Sequence, residues 1–420
     1  MSDRYFPIHT ATACQLKWTW STVRLYSGTT SSCHRTDSDS FNIDNFDDFH
    51  NTEKKIKSRE TMLSGQWPGQ GCEYCRDIEA TGAQSDRLYQ LQIPNQYPVE
   101  LDIDTLAVKV TPRIVEVYLD NVCNMSCIYC WDGYSSKIRQ ENEKFGPFES
   151  NGIVIKNRAN LVNDLDALTD RFWQWFLKNG TGLKKLIVLG GEPLYQKQFG
   201  VFLEILENHS FPDLEFSIIS NLSVDPGYFQ RTIERVKNLV ARRKLRRFDV
   251  TASIDCFGAE QEYVRKGINL SQWKKNFEYL VSQKWIYLSF NQTITSLTIK
   301  TMPDLLEYIN QLRVMNPGRK INQQLGKVQN YEYLDPGIFG SGFFTDDFDK
   351  ILDTMPDDEW QYQQSKQYMK GIFDQINSNQ KQSEKIDQLI TYLTELDRRR
   401  GTDWKKVFPW LEKEMVTNVV

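Results

Sequence analysis

Three cysteines fall within eight residues, Cys123-Asn-Met-Ser-Cys127-Ile-Tyr-Cys130, and four more stand at Cys14, Cys33, Cys72 and Cys75. In a reducing compartment, cysteines spaced this closely bind metal more often than they form disulfides. Four thiolates fill the four irons of a [4Fe–4S] cluster, so three on one loop leave one iron with an open position. An open iron binds a substrate or cofactor directly, much as catalytic zinc keeps an open site. The alternative is a zinc knuckle completed from elsewhere, and only His9, His34, His50 and His209 are available as histidine ligands. Cys256 stands apart and reads as a buried apolar thiol.

Further candidate groups sit where apolar runs end. Gly190-Gly191-Glu192-Pro193 follows such a run. Glycines there let backbone approach a ligand, and Glu192 could accept from an ammonium group. Ser220-Asn221 closes the next run, and Ser253 and Asp255 the one after, with Arg265 ten residues on. A guanidinium matches a carboxylate bidentately, which suits Arg265 to an acidic ligand. The plainer readings are that Asn221 closes a turn and Arg265 pairs with Glu262.

In spacing and context, Cys123, Cys127 and Cys130 resemble the cysteine motif of the radical S-adenosylmethionine (radical SAM) superfamily. The resemblance implies that these three catalytic cysteines hold a SAM-binding [4Fe–4S] cluster. It places Tyr129 against the adenine, residues 190–193 at the SAM amino group and Ser220-Asn221 at the ribose. Ser253, Asp255 and Arg265 fall where the family places a Ser and an Arg near SAM. Cys14, Cys33 and the Cys72–Arg87 stretch are similar to a twitch module, the first half of a SPASM domain. That implies an auxiliary iron–sulfur cluster on Cys14, Cys33, Cys72 and Cys75. A structural zinc is the alternative there, with His34 able to replace Cys14. Such modules usually follow the barrel; here the stretch precedes it. The chemistry implied is reductive cleavage of SAM to a 5′-deoxyadenosyl radical that abstracts hydrogen from substrate, with flavodoxin or ferredoxin as reductant. Relatives of this kind commonly modify peptides or protein side chains, which makes those the first substrate class. Carbohydrates, nucleotides and other small molecules come second. A non-catalytic metal–cysteine protein is the alternative outside enzymes.

These groups need a scaffold, and the hydrophobic pattern supplies one. Strand-like runs occur at 114–119, 186–189, 214–219, 248–254, 285–294 and 320–328. Between them, Leu161, Leu165, Leu168, Phe172 and Phe176 repeat at helical spacing, as do Phe229, Ile233, Val236 and Val240, and Trp273, Phe277, Leu280 and Val281. Alternation of this kind predicts an α/β protein with parallel strands, an open or partial (β/α)6 barrel over 111–340. Its functional face belongs at the strands' carboxyl ends. Residues 1–110, with strand-like Trp18–Tyr26 and a charged helix around 53–64, read as a small separate module. Residues 341–420 read as a helical extension, with Ile386, Leu389, Leu393 and Leu396 on one stripe, Gly401 as a cap and Asp403 starting another helix.

The net charge of −4 gives no field that would gather nucleic acid or an anionic membrane. The basic runs at 242–247 and 397–400 read as solvated helix ends. No basic start with an apolar run, and no 18-residue apolar stretch, is visible, so the chain reads as soluble and cytoplasmic.

Overall fold

Each apolar run read as a strand lies on a strand in the computed structural model, which describes residues 8, 10–69, 71–80, 82, 85–92 and 107–417. Strands β1 to β9 are Trp20–Arg24, Thr29–Ser31, Asp39–Ser40, Ile114–Tyr118, Lys185–Leu189, Phe211–Ser220, Leu245–Ser253, Tyr287–Ile294 and Ile321–Lys327. The result is an α/β fold with mostly parallel pairing. Strand β5 shows no period-two alternation: Leu186, Ile187, Val188 and Leu189 are all buried, the continuous burial of a strand covered on both faces.

The chain divides into two compact units. The first comprises Met1–Asp120, Asn160–Ile218 and Val236–Phe248; the second, Asn121–Ala159, Ile219–Arg235 and Asp249–Val420. In the first, β4 pairs in parallel with β5, and β5 with β6. β1 also joins β4 in parallel, from Trp20 opposite Ile114 to Arg24 opposite Tyr118, and carries β2 and β3 antiparallel at the edge. The expected boundary near residue 110 therefore runs through one sheet. A pairing between strands some ninety residues apart leaves no mark in local periodicity, which is why residues 1–110 look like a module by themselves. In the second unit, the Asp249–Ser253 part of β7 pairs in parallel with β8, and β8 with β9.

Helices fill the intervals. Leu165–Asn179 buries Leu168, Phe172 and Phe176, while Leu161 lies ahead of the helix. Leu270–Ser282 starts where the Asn269 side chain accepts from the Gln272 N–H, and it buries Trp273, Phe277, Leu280 and Val281. In the carboxyl-terminal region, Ser383–Arg400 ends at Gly401, whose left-handed φ of 65° closes the helix, and Trp404–Val407 starts after Asp403. Among the described residues, no helix is long and apolar enough to cross a membrane.

Candidate cysteine site and its surroundings

The Cys123–Cys130 loop is tied down along its length within the second unit. The Cys123 N–H donates to Ser136 Oγ (3.2 Å), and Ser135 Oγ donates to the Met125 carbonyl (2.6 Å). Ser126–Cys127 forms a two-residue ladder with Arg265–Lys266, placing Cys127 opposite Arg265. The Ile128 N–H donates to the Val264 carbonyl, and the Cys130 N–H to that of Cys127. Two tyrosines hold the outer side: Tyr392 donates to the Ile128 carbonyl (2.5 Å) and Tyr331 to that of Cys130 (2.8 Å). Gly267 belongs to the same construction, since at φ 107° a Cβ there would stand 2.7 Å from the Asn124 carbonyl oxygen. A loop fixed this way presents its thiols without a large ordering cost.

Asp255 is the hub beneath the loop. Fully buried, it accepts two hydrogen bonds from Arg265 (Nε and Nη2, each 2.8 Å), one from Tyr129 Oη (2.5 Å) and one from the Thr293 N–H (2.8 Å). Two expectations change here. Arg265 pairs with Asp255, not Glu262, and its fork is occupied by that carboxylate instead of standing open for a ligand. Tyr129 directs its hydroxyl at Asp255, with the Arg265 guanidinium 5.5 Å from its ring. Burial works against the Arg265 charge, yet Asp255, Tyr129 and Cys127 outweigh it and hold the guanidinium ionised. The support continues outward: Gln261 Oε1 accepts from the N–H groups of Asp255 and Cys256, and Gln292 donates to the Asp255 carbonyl.

Asn221 closes the expected turn and also reaches the cysteine loop. Its Oδ1 accepts from the Ser223 N–H, and its Nδ2 donates to Asn124 Oδ1 (2.7 Å) inside that loop. Ser220 Oγ accepts from the N–H of Leu222, a buried leucine held at φ 53°. That conformation is costly for a branched residue. Asn276, which sequence reasoning missed, secures it by donating to the carbonyls of Leu222 and Val224. Ser253 is buried at the end of β7, two residues before Asp255, and Cys256 is fully buried as expected.

A cavity of about 410 Å³ opens beside Cys127, Tyr129 and Cys130. That lies within the usual range of small-ligand sites, roughly 300–1,000 Å³. Tyr331, Tyr333, Tyr392 and Arg400 line it as well. Arg400 belongs to the run read as a solvated helix end, and the structure corrects that reading. Arg399 is buried against Glu395, and Arg400 is buried in a bidentate pair with Glu141 (2.9 and 3.1 Å). The signal was present in the sequence: Arg400 continues the Leu389, Leu393, Leu396 stripe at helical spacing. In the other basic run, Arg242, Arg243 and Arg246 are exposed, in line with the solvated reading, and Arg246 and Arg247 meet Glu215 within the first unit.

Burial pushes the Cys130 thiol up to about 12, with the Cys127 charge adding to it. Burial also raises Cys127, against the pull of Arg265 and Arg400. A bound cation reverses that balance, because a coordinating thiol loses its proton outright. Among the described residues, no three His, Cys, Asp or Glu side chains gather as a single ion requires. Zinc needs its ligands at about 2.0–2.3 Å from one point, whereas a four-iron cube carries ligands on separate corners. Three thiols on one pinned loop, with Cys127 and Cys130 lining the cavity, are the donor type that such a cluster would take.

Residues 190–193 belong to the first unit. Gly190 has φ 140°, and a Cβ there would stand 2.4 Å from the Asp120 carbonyl oxygen, which accepts from the Gly191 N–H and from Gln196 Nε2. Glu192 is buried, with Oε1 accepting from the Leu194 N–H as Pro193 opens a short helical turn. This unit also holds Cys14, Cys33, Cys72 and Cys75, which line one small, largely apolar cavity with Lys17, Trp67 and Arg87. Burial raises the Cys14 thiol to about 12, Cys33 adding to the effect, and burial likewise raises Cys72 and Cys75. Arg87 braces the cavity through Glu79 and the Ala13 carbonyl. Of the histidines, His50 is buried on Ser21 and the Trp18 carbonyl, His34 lies 3.8 Å from Asp86, and His9 lies outside the described residues.

No family model matches the chain. Over 202 residues it is 21% identical to the probable GTP 3′,8-cyclase of Methanocaldococcus jannaschii, covering 48% of this chain and 56% of that protein. The chain thus spans a little over half the length of that curated relative. Among solved structures it is similar to native anSMEcpe with bound AdoMet, at 14% identity and a TM-score of 0.34, over 57% of this chain and 58% of that one. It is also similar to native anSMEcpe with bound AdoMet and Kp18Cys peptide, at 15% identity and a TM-score of 0.32, over 57% of each chain.

Proposed function

We propose that Cys123, Cys127 and Cys130 hold a [4Fe–4S] cluster, and that the chain is a radical SAM enzyme. The observation that carries the reading is a loop of three cysteines, pinned by its neighbours on both sides, with Cys127 and Cys130 lining a cavity of about 410 Å³. When bound, such a cluster supplies one electron to SAM, yielding methionine and a 5′-deoxyadenosyl radical that takes hydrogen from substrate. The chain's own residues hold that chemistry in place. Arg265 and Asp255 set the register of Cys127 and the position of Tyr129, and Asn221 holds the loop through Asn124. Ser220 and Asn221 are proposed for the SAM ribose, Ser253 for a place near SAM, and Gly190, Gly191, Glu192 and Pro193 for its amino group, on the family resemblance. Parallel strands β4 to β6 in the first unit and β7 to β9 in the second are proposed as the six strands of a partial (β/α)6 barrel, on the family resemblance.

Cys14, Cys33, Cys72 and Cys75 are proposed to hold an auxiliary iron–sulfur cluster, supported by the cavity that all four line. A flavodoxin- or ferredoxin-type reductant is proposed for the low potential such clusters need. Peptides or protein side chains remain the first substrate class. The similarity to a probable GTP 3′,8-cyclase favours nucleotides among the small molecules. Metal counting tests the reading. After anaerobic reconstitution, about eight irons per chain are expected, falling to about four in Cys127→Ala. Zinc alone would overturn it.

A further inference from the structure

Glu141 takes two of the three guanidinium nitrogens of Arg400, leaving Nη1 buried and, among the described residues, without a hydrogen-bond partner. The side chain is 5% exposed and lines the cavity beside Cys127 and Cys130. An unsatisfied buried donor is costly, and an anionic oxygen entering the cavity would supply the acceptor that Nη1 lacks. The remaining charges of the cavity agree in sign. Its acids are already committed: Glu141 to Arg400, and Asp132 to the N–H groups of Arg158 and Ala159 and to Arg139. Lys156 and Arg158 are exposed, and neither makes an ion pair among the described residues, the Arg158 side chain donating to the Val154 carbonyl. Uncompensated charge in this cavity is therefore positive.

We propose that Arg400, with Arg158 and Lys156, forms an anion subsite of the cysteine cavity that takes a carboxylate or phosphate group. The subsite stands on the cavity's own geometry. It rests on the radical SAM reading only for which molecule brings the anion, the methionine carboxylate of SAM or the substrate.

The test uses the reconstituted full chain and two probes, inorganic pyrophosphate and SAM set against decarboxylated SAM. Arg400→Gln should weaken pyrophosphate on the order of 10- to 100-fold, the loss of one charge-assisted hydrogen bond. If SAM supplies the anion, Arg400→Gln should instead erase the preference of wild type for SAM over its decarboxylated form. Glu141→Gln/Arg400→Gln repeats both measurements without leaving Glu141 buried and unpaired, so a folding defect is told apart from a binding one. Binding of both probes that ignores Arg400 in both variants overturns the proposal. Arg400-dependent pyrophosphate binding with no SAM binding at all would sustain the subsite and remove the radical SAM reading.

Discussion

Asp255→Asn tests how the cysteine loop is held. The change keeps the shape of the side chain but removes the charge facing Arg265, whose own side chain is 8% exposed. Breaking one partner of a buried ion pair costs about 3–5 kcal/mol, because the other charge is left uncompensated. An amide also cannot accept all four hydrogen bonds, from Arg265 twice, Tyr129 and Thr293, without turning a donor toward one of those donors. For a domain of this size each kcal/mol shifts Tm by about 2–4 °C, so a fall of about 6–20 °C is expected by calorimetry. Iron bound after reconstitution should fall with it, since Arg265 lies opposite Cys127 and Tyr129 sits between Cys127 and Cys130. Asp255→Asn/Arg265→Met, which removes both charges, should recover part of the lost stability. A single variant that melts within about a degree of wild type, well short of that fall, and binds the same iron would refute the hub.

In the first unit, Gly71 has φ 86°, with a Cβ position 2.2 Å from the Arg35 carbonyl oxygen, so Gly71→Ala should displace Cys72 and strip metal from the amino-terminal four cysteines alone. Gly65→Ala, where a Cβ meets nothing within 4 Å, should cost only the backbone term of about 1–2 kcal/mol, read by urea unfolding and metal analysis. Burial, then Arg59 and Lys55, hold the His50 imidazole well below its usual range, so it stays neutral in the fold. The unfolded chain takes up a proton there below about pH 6.5. Its stabilisation is thus intact above that pH and drains away by about 1.4 kcal/mol per pH unit on acidification toward the folded value. Urea midpoints measured on either side of that pH, at about 7.5 and about 5.5, should therefore diverge less in His50→Gln than in wild type.

Much of this was legible because strands and motifs are local. All six βα strands lie on the apolar runs, and the cysteine spacing marks the loop that Arg265, Tyr331 and Tyr392 hold. What escaped depends on distant partners. β1 beside β4, Arg265 turned to Asp255, and Asn276 under Leu222 each join segments that local periodicity does not connect. Arg400 was missed for a different reason. A charge run invites a solvent reading, and only its place on the Leu393–Leu396 stripe marks it as buried.

The central claim is decided by product. Reconstituted anaerobically and given dithionite and SAM, wild type should form 5′-deoxyadenosine and Cys127→Ala should not. A well-formed cluster that neither binds SAM nor yields 5′-deoxyadenosine would contradict the account.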